Sequence, residues 1–273
     1  MKNKAFFLLI YVLLGMSFPV SAAEMKKLSF GIPPQQSATE LAKRWTPVLQ
    51  YLTEKSGVLL ELKTAKDIPT FHQQMMEGQY DIAFVNPNSY VAANRASGYR
   101  AFVKEKDSKS FGMIVTRKDG PIQHLPQLSG QTMAFPSNIA LMATILPLKQ
   151  LEEEKVLVKI QYVVSIDSVY RSVAKGLFVA GGGEARTFGA LEPEIRDQLN
   201  VLWRSEDLPP FPFFAHPRVP SAVLHKLQKT MIAMGQDAHG QVLLKVVNIK
   251  ALEKANDADY NAVRKMNLPL EVK

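Results

Sequence analysis

The stretch that decides the fold is Gly-Gln-Tyr-Asp-Ile-Ala-Phe-Val-Asn-Pro-Asn-Ser-Tyr, residues 78–90. Its apolar run, Ile82–Val85, is bounded by turn residues, which is typical of a buried parallel strand. A helix is predicted to begin near Tyr90. In open α/β sheets, ligands bind beyond the carboxyl ends of such strands. Four residues of the turn are therefore candidate ligand contacts: Asn86, Asn88, Ser89 and Tyr90. The alternative is an ordinary strand-to-helix connection, in which these residues only form the turn.

The N-terminus has the three regions of a secretory signal peptide. Lys2 and Lys4 precede an apolar run from Ala5 to Leu14, and small residues follow at Ser21-Ala22-Ala23. This order predicts a signal peptide over residues 1–23 and a periplasmic location for the mature protein. The apolar run is shorter than the roughly 20 residues that span a bilayer. A retained signal anchor is the alternative.

Composition excludes several classes of function. The chain of 273 residues contains no cysteine, so it has no disulfide, thiolate metal site or cysteine nucleophile. Its net charge of +8 is scattered and forms no basic stripe, which argues against a nucleic acid partner. No H-E-x-x-H or G-x-S-x-G motif occurs, so we expect no metal site, cofactor or catalytic residue. A Ser-His-Asp catalytic set assembled from distant positions in the chain is the alternative, since it leaves no local motif.

Strand and helix patterns alternate from residue 28 to residue 117. Ser37-Ala38-Thr39-Glu40 is an S-x-x-E capping box. The apolar residues after it recur at helical spacing, so a helix is predicted to about Lys55, with a stop at Gly57. The other predicted elements are strands 28–32 and 58–62, helix 71–77, strand 81–85, helix 90–96, and strands 98–104 and 111–117. Alternation with short connections implies a parallel sheet covered by helices.

A second series of such patterns begins with a strand at 132–135. We predict that Pro136-Ser137-Asn138 opens a helix through about Glu154, with a kink at Pro147. The later predicted elements are strand 156–163, helix 167–174, helix 192–198, strand 201–205, the segment 211–216, helix 221–234 and a mostly helical tail, 242–273.

A short strand at 178–180 is predicted to run into Gly181-Gly182-Gly183. We interpret the glycines as a flexible turn that lets Glu184 and Arg186 reach a ligand. Arg186 has the fork geometry to bind a carboxylate with two hydrogen bonds, whereas a solvated surface arginine is the alternative. For the aromatic segment Phe211–Phe214, a place in the core and a place lining the cleft are equally compatible with the sequence.

Two series of β and α elements predict two α/β lobes with a ligand cleft between them, a preferred place for small-molecule sites. Lobe 1 is predicted to comprise residues 24–114 and 215–273, and lobe 2 residues 115–214. Two crossing segments would join them. We expect the helix N-terminus at Ser137 to face the cleft, although capping the helix is the commonest role of such a serine.

The order of segments resembles the periplasmic solute-binding proteins of phosphonate, phosphite and phosphate ABC transporters (the PhnD-like family). The resemblance covers nearly the whole mature chain, and it implies a type II periplasmic-binding fold that closes on its ligand. Its most specific pieces are Phe30-Gly31-Ile32, Trp45-Thr46-Pro47-Val48-Leu49, the segment 78–86, Phe135-Pro136-Ser137 and the segment 168–176.

The resemblance also assigns site residues. In that family a Ser-Thr-Ser run at a helix N-terminus holds the phosphonate oxygens; Ser137 and Asn138 match it in position and can donate, whereas Ile139 cannot. The family's acidic residue after the glycine turn is retained as Glu184. Four further polar positions of the family fall on apolar residues: Ile68, Val85, Ile166 and Phe211.

These departures change the expected ligand. A dianionic phosphonate needs several converging donors, each charge-assisted bond contributing about 1.5–3 kcal/mol. Apolar replacements remove donors and raise the cost of burying an anion. We therefore expect the family's binding mode with a more apolar or less charged solute than a plain phosphonate.

The predicted function is capture of a small ligand by a monomeric exported protein that passes it to the membrane permease of an ABC transporter. The alternative is a periplasmic receptor that presents its closed form to a membrane sensor kinase or another signalling protein. Neighbouring genes would separate these two. A periplasmic enzyme, the third class, predicts turnover rather than stoichiometric binding.

Overall fold

Two β-sheets organise the protein in the computed structural model, which describes residues 27–266. The predicted signal peptide, residues 1–23, lies outside that range. The six-stranded sheet has the order β11-β4-β10-β3-β1-β2. Its strands are β1 (Leu28–Gly31), β2 (Leu60–Lys63), β3 (Ile82–Phe84), β4 (Arg100–Glu105), β10 (Pro212–Ala215) and β11 (Leu252–Lys254). β1 pairs in parallel with β2 and β3, as alternation with helices predicts.

The helices joined to this sheet follow its strands in the chain and, with it, form lobe 1. They are α1 (Ala38–Ser56), α2 (Ile68–Met76), α3 (Pro87–Ser97), α8 (Ser221–Ala233), α9 (Ala238–Val246) and α10 (Asn261–Lys265). Lobe 1 also has 3-10 turns at Met234–Gln236 and Asp257–Tyr260, and lobe 2 has one at Leu125–Leu128.

The five-stranded sheet has the order β7-β6-β8-β5-β9 and forms lobe 2 with its helices. Its strands are β5 (Gly112–Arg117), β6 (Thr132–Phe135), β7 (Lys159–Tyr162), β8 (Ala180–Glu184) and β9 (Leu199–Arg204). Its helices are a π-helical turn at Leu141–Ile145, α4 (Leu146–Glu153), α5 (Ile166–Ala174), α6 (Ala185–Gly189) and α7 (Pro193–Arg196).

Local signals place α1 where the sequence predicts it. Ser37 Oγ accepts a hydrogen bond from the backbone N–H of Glu40 at 3.2 Å, and Gly57 ends the helix with φ 69°. The Glu40 carboxylate binds Arg44 Nε at 2.5 Å instead of completing the capping box. The buried face of the helix, which includes Trp45, packs on the sheet.

The prediction of a helix starting at Ser137 is wrong. Residues 136–140 form a turn, and the chain then enters the π-helical turn, whose N-cap, Ala140, offers no capping side chain. Pro147 is the second residue of α4, which follows the π-helical turn without a break, so its missing N–H lies at the change from π to α hydrogen bonding.

The prediction of a flexible glycine turn is also wrong, because Gly181, Gly182 and Gly183 lie inside β8. A Cβ at Gly182 would collide with the carbonyl oxygen of Ala143 in the π-helical turn, and one at Gly183 would collide with the ring of Tyr170. Glycine is needed here for close packing of backbone and side chains on the strand rather than for flexibility.

Two further predictions about element ends need correction. α3 begins at Pro87, with Asn86 as its N-cap, three residues before the predicted start. The segment after residue 242 also contains a strand that the sequence did not predict, since β11 adds an antiparallel edge strand beside β4. A three-residue strand is too short to leave a periodic signal, and residues 267–273 lie outside the described range.

Two crossing segments join the lobes, at 106–111 and 205–211, and they pair with each other. The Ser110 N–H donates to the Leu208 carbonyl at 3.2 Å, and the Leu208 N–H donates to the Ser110 carbonyl at 2.7 Å. The predicted boundaries at 114/115 and 214/215 fall inside β5 and β10. Over residues 27–266, none of the helices combines the length and the apolar character needed to cross a bilayer.

The lobes lie against each other. One buried apolar cluster contains Phe30 and Phe213 of lobe 1 together with Leu141, Met142 and Ile145 of lobe 2. The described chain is therefore in a closed arrangement, and the π-helical turn is the part of lobe 2 that packs into lobe 1.

Candidate functional site

A cavity of about 30 Å³ lies between the two lobes, and we call it the first cavity. This volume is room for on the order of one or two water molecules. Its polar lining residues are Gln35, His72, Asn86, Ser89 and Glu184. The rest of its lining is apolar: Pro33, Ile68, Phe71, Met75, Val85, Ile139, Ala140, Leu141, Met142, Ala143 and Ile166.

The ends of strands from both sheets build the first cavity. Gln35 follows β1, Asn86 follows β3, and Glu184 is the last residue of β8. The turn after β6 supplies Ile139. Carboxyl ends of parallel strands from two sheets thus face one space, as the ligand rule for open α/β sheets requires.

Two helices of lobe 1 that begin at this cavity, α2 and α3, have capped N-termini. Asn86 Oδ1 accepts from the Ser89 N–H at 2.9 Å, and Pro87 has no N–H to offer. The Asp67 carboxylate accepts from the Thr70 N–H at 2.8 Å at the start of α2. The first turns of α2 and α3 therefore already have one N–H each engaged by a cap, whereas the start of the π-helical turn, which also lines the cavity, has no side-chain cap.

The start of α5 is engaged as well. Ser165 Oγ accepts from the Ser168 N–H at 3.1 Å, and the Asp167 N–H donates across the cleft to the Gln35 carbonyl at 3.1 Å. Asp167 places a carboxylate in the first turn of this helix, paired with Arg171 at 2.7 Å. The pair has no net charge, so it leaves no free cation at the helix start.

Glu184 is the buried acid of the first cavity, with 2% of its surface exposed. Its Oε1 accepts from Gln35 Nε2 at 2.8 Å, across the cleft, and from Thr187 Oγ1 at 2.9 Å. Burial outweighs these bonds and raises the pKa of the carboxyl to about 7. Tyr170 Oη fixes the backbone here by donating to the Glu184 carbonyl at 2.8 Å.

His72 is the other titratable group that lines the first cavity. Burial lowers the pKa of its imidazole, so the ring is neutral at neutral pH. Among residues 27–266, no lysine or arginine lines this cavity. Its charge at neutral pH is therefore set by Glu184.

A second cavity of about 40 Å³ adjoins the first and shares Pro33 and Gln35 with it. Arg186 projects into it between the rings of Phe84 and Phe211, 4.9 and 4.8 Å from their centroids. The guanidinium pairs with Glu105 of lobe 1, and only 14% of the arginine side chain and 4% of the glutamate side chain are exposed. Burial lowers the pKa of Arg186 to about 9.

The interpretation of Arg186 as a solvated surface residue is therefore wrong. Its Nη1 also donates to the carbonyls of Val247 and Asn248, at 3.4 and 3.3 Å. Arg44 crosses the same boundary, donating from Nη2 to the Ala190 carbonyl at 3.0 Å. These arginines tie lobe 2 to lobe 1 with their charges already matched by Glu105 and Glu40.

The structure brings together seven of the predicted site residues in the cleft. Five line the first cavity: Ile68, Asn86, Ser89, Ile166 and Glu184. Phe211 and Arg186 line the second cavity. Asn88 and Tyr90 are buried in α3 outside both linings; Tyr90 Oη donates to Asp257 at 2.5 Å and accepts from the Ala101 N–H at 3.1 Å.

Ser137 and Asn138 line neither cavity, and the helix start of lobe 2 that does line the first cavity is that of the π-helical turn, at Ala140 and Leu141. The Ser137 hydroxyl is buried without a hydrogen-bond partner. Ile139 and the π-helical turn occupy the position instead, because the helix begins four residues later than predicted.

Sequence reasoning missed Gln35, His72 and Met142. Gln35 follows a predicted strand, and His72 is four residues from Ile68 on the same face of α2, so both positions carried a usable signal. Met142 had none, because a π-helical turn leaves no recognisable period.

Two α/β lobes, two crossing segments and a cavity where the strand ends of both lobes meet define a ligand-trapping binding protein. The family model of periplasmic substrate-binding proteins of phosphonate ABC transporters matches residues 30–260. The chain therefore belongs to this family, and the predicted family and fold are confirmed.

Individual relatives agree with this assignment. A phosphonates-binding periplasmic protein of Escherichia coli is 33% identical over 115 residues, 40% of this chain and 34% of that protein. The phosphate-import protein PhnD of Mycolicibacterium smegmatis is 24% identical over 258 residues, 85% of this chain and 75% of that protein. A binding protein component of an ABC phosphonate transporter from Pseudomonas aeruginosa has the same fold, with a TM-score of 0.80 at 17% identity over 89% of this chain and 86% of that one.

Proposed function

We propose that the protein is an exported periplasmic binding component of an ABC transporter whose ligand is not a plain phosphonate. It captures a small solute between its lobes and delivers it to a membrane permease. The observation that carries this proposal is the lining of the first cavity, which is mostly apolar and, over residues 27–266, includes a buried acid but no lysine or arginine.

Charge is the reason for departing from phosphonate. A dianion in the first cavity would lie beside Glu184, and side-chain caps already bind an N–H at the starts of α2, α3 and α5, which leaves the start of the π-helical turn as the uncapped helix start in the lining. Like charges at close range disfavour each other, and buried anions need converging donors. Ile68, Ile139 and Ile166 offer none.

Closure is supported by contacts that cross the cleft. Gln35 of lobe 1 binds both Glu184 and the Asp167 N–H of lobe 2, and Arg44 binds Ala190. Because the closed cavity holds so little space, a solute enters when the lobes separate and is enclosed when these contacts form. Paired crossing segments at Ser110 and Leu208 provide the hinge.

Calorimetric titration of the purified mature protein, with X-ray scattering on the same samples, tests the proposal. We expect stoichiometric binding of a small solute, a decrease in radius of gyration and no product. Methylphosphonate and 2-aminoethylphosphonate should fail to bind at micromolar concentration. Micromolar binding of either would overturn the assignment of ligand, and a ligand-independent radius of gyration would overturn the trapping role.

A further inference from the structure

β7 is an edge strand of the lobe 2 sheet, and its outer side pairs with no other strand among residues 27–266. On its inner side, the N–H groups of Lys159 and Val163 each donate to a β6-side carbonyl at 2.8 Å. Because successive residues of a strand point their backbone groups in opposite directions, Val158, Ile160 and Tyr162 direct theirs to the open side. This edge is therefore able to pair with a further strand.

The same edge exposes apolar side chains. All four residues of β7 are exposed. The segment 157–164 contributes four of the nine large apolar side chains that are exposed in the described part of the chain: Leu157, Ile160, Tyr162 and Val164. Leu157 and Val164 are 78% and 72% exposed. Such a concentration on one segment is typical of a protein–protein contact, whereas single exposed apolar residues are ordinary.

The other sheet edges are better protected. On β2, Glu61 pairs with Lys27 and Lys63 at 3.2 and 3.1 Å. β11 has only three residues, two of them charged. β9, the opposite edge of the lobe 2 sheet, exposes two of its six residues. Charge, short length and coverage prevent edges from pairing. β7 lacks this protection, since it is fully exposed and Lys159 is its one charged residue.

We propose that β7 pairs with β7 of a second copy of this protein, antiparallel about a two-fold axis at Ile160. The two five-stranded sheets then join into one. This dimer differs from the monomer that the sequence predicted. Both copies use the same surface, as a two-fold interface requires. The pairing residues all lie in lobe 2, so the contact does not depend on closure of the lobes.

The sequence of β7 is complementary to itself in this register. Ile160 meets Ile160 of the other copy, and Val158 meets Tyr162 on both sides of the axis. These are the residues with outward backbone groups, so each pair exchanges two hydrogen bonds. The Tyr162 carbonyl exchanges an exposed contact of 3.2 Å with the Gln161 side chain for a ladder bond. Aromatic and β-branched side chains in opposite positions are favourable cross-strand pairs.

Charge selects the same register and favours a second copy as the partner. Lys159 lies on the other face of the strand and meets Gln161 of the second copy, whose amide oxygen accepts from the ammonium group. An axis at Lys159 would instead place two lysines opposite each other, which is destabilising. Apolar pairs and charge thus agree on an axis at Ile160.

The dimer should be weak, because one short strand from each copy buries less than the about 1,200–2,000 Å² of stable interfaces. We expect a dissociation constant on the order of 10–100 μM. Sedimentation equilibrium of the mature protein from about 5 μM to about 500 μM should show the average mass rising from one copy toward two.

Ile160→Lys places like charges on the axis and should keep the protein monomeric over this range. Val201→Lys is the matched control, because Val201 lies on the edge strand β9 with 39% of its surface exposed, against 40% for Ile160. It should dimerise like the parent.

Cysteine cross-linking locates the axis. The chain contains no cysteine, so Ile160→Cys introduces a single thiol. Opposite residues in a hydrogen-bonded antiparallel pair have Cα atoms about 5.5 Å apart, within the range of about 4.4–6.8 Å for a disulfide. Mild oxidation should give a covalent dimer of Ile160→Cys and leave Val201→Cys monomeric.

Each contrary outcome overturns the proposal. A parent protein that stays monomeric up to about 500 μM would leave the edge to a strand of another protein. A dimer that survives Ile160→Lys, or that Val201→Lys disrupts equally, does not form through β7. If circular dichroism shows that Ile160→Lys is unfolded, the cysteine variants decide, and equal cross-linking of the two contradicts an axis at Ile160.

Discussion

The first and second cavities adjoin in one cleft, yet they treat buried charge in opposite ways. In the second cavity, Arg186 meets Glu105, and two aromatic rings enclose the guanidinium. In the first cavity, Glu184 has two neutral donors and no cation. A buried charge therefore has a different role in each cavity. Paired charges hold the lobes together, whereas the unpaired acid leaves a place for a ligand.

The largest effect should come from breaking the pair in the second cavity. Arg186→Met leaves Glu105 buried without a partner, which should cost about 3–5 kcal/mol of unfolding free energy. Guanidinium chloride denaturation at pH 7 measures it. The double variant Arg186→Met/Glu105→Leu is the control, because an apolar pair of similar volume should recover most of the loss. A single variant within about 1 kcal/mol of the parent would show that the pair does not hold the lobes.

Removing the charge of Glu184 in the first cavity should stabilise the folded protein, the opposite of removing the charge of Arg186. The folded-state pKa of Glu184, about 7, lies above the ordinary value of 4.5, so the folded state binds the proton more tightly. Stability is therefore complete below about pH 4.5 and falls as pH rises through 7. Glu184→Gln should abolish this fall and exceed the parent by about 3 kcal/mol at pH 8, since each pKa unit is about 1.4 kcal/mol.

Urea denaturation of both proteins between pH 5 and pH 8 measures this effect. Parallel pH profiles for the parent and Glu184→Gln would contradict it. The comparison of the two cavities predicts that removing a charge destabilises the second cavity and stabilises the first.

A smaller effect should come from the packing that shapes the first cavity. In Gly182→Ala the new methyl group meets the Ala143 carbonyl, so the π-helical turn must shift, at a cost of about 1–3 kcal/mol. Thermal unfolding measures the loss. Gly235→Ala is the matched control, because its nearest neighbour is an ordinary contact at 3.6 Å from Ala251 Cβ. Equal melting temperatures for the two variants would contradict the role of the glycine.

The smallest effect should come from the aromatic side of the second cavity. Phe211→Leu keeps an apolar side chain but removes one ring from Arg186, a loss of about 1 kcal/mol. Phe111→Leu is the control, since Arg204 over that ring is half exposed, and cation–π contacts contribute less at exposed sites. Chemical denaturation of both variants measures the free energy of unfolding. A larger loss of this free energy in Phe111→Leu than in Phe211→Leu would refute the cation–π contribution.

Much of the fold follows from local sequence signals. The Ser37 cap, the Gly57 stop and the apolar strand at Ile82 act over a few residues, so they could be read without knowledge of tertiary contacts. The same holds for the position of Asn86 and Ser89 at the cavity, since it follows from the end of a buried strand.

What could not be predicted depends on contacts between distant residues. Gly182 resembles a flexible turn in sequence, and only its approach to Ala143 shows that it belongs to a strand. The partner of Arg186 lies 81 positions away in the other lobe, at Glu105. The displacement of Ser137 from the cleft depends on the π-helical turn, which no local propensity specifies.

The pKa of Glu184 tests the central claim most directly, because an unpaired acid in the interlobe cavity is the reason for proposing a ligand other than a plain phosphonate. Carbon-13 NMR of the side-chain carboxyl, assigned with Glu184→Gln, measures it in the intact protein. We expect a pKa of about 7 in the protein without ligand. A pKa near the ordinary 4.5 would contradict the account.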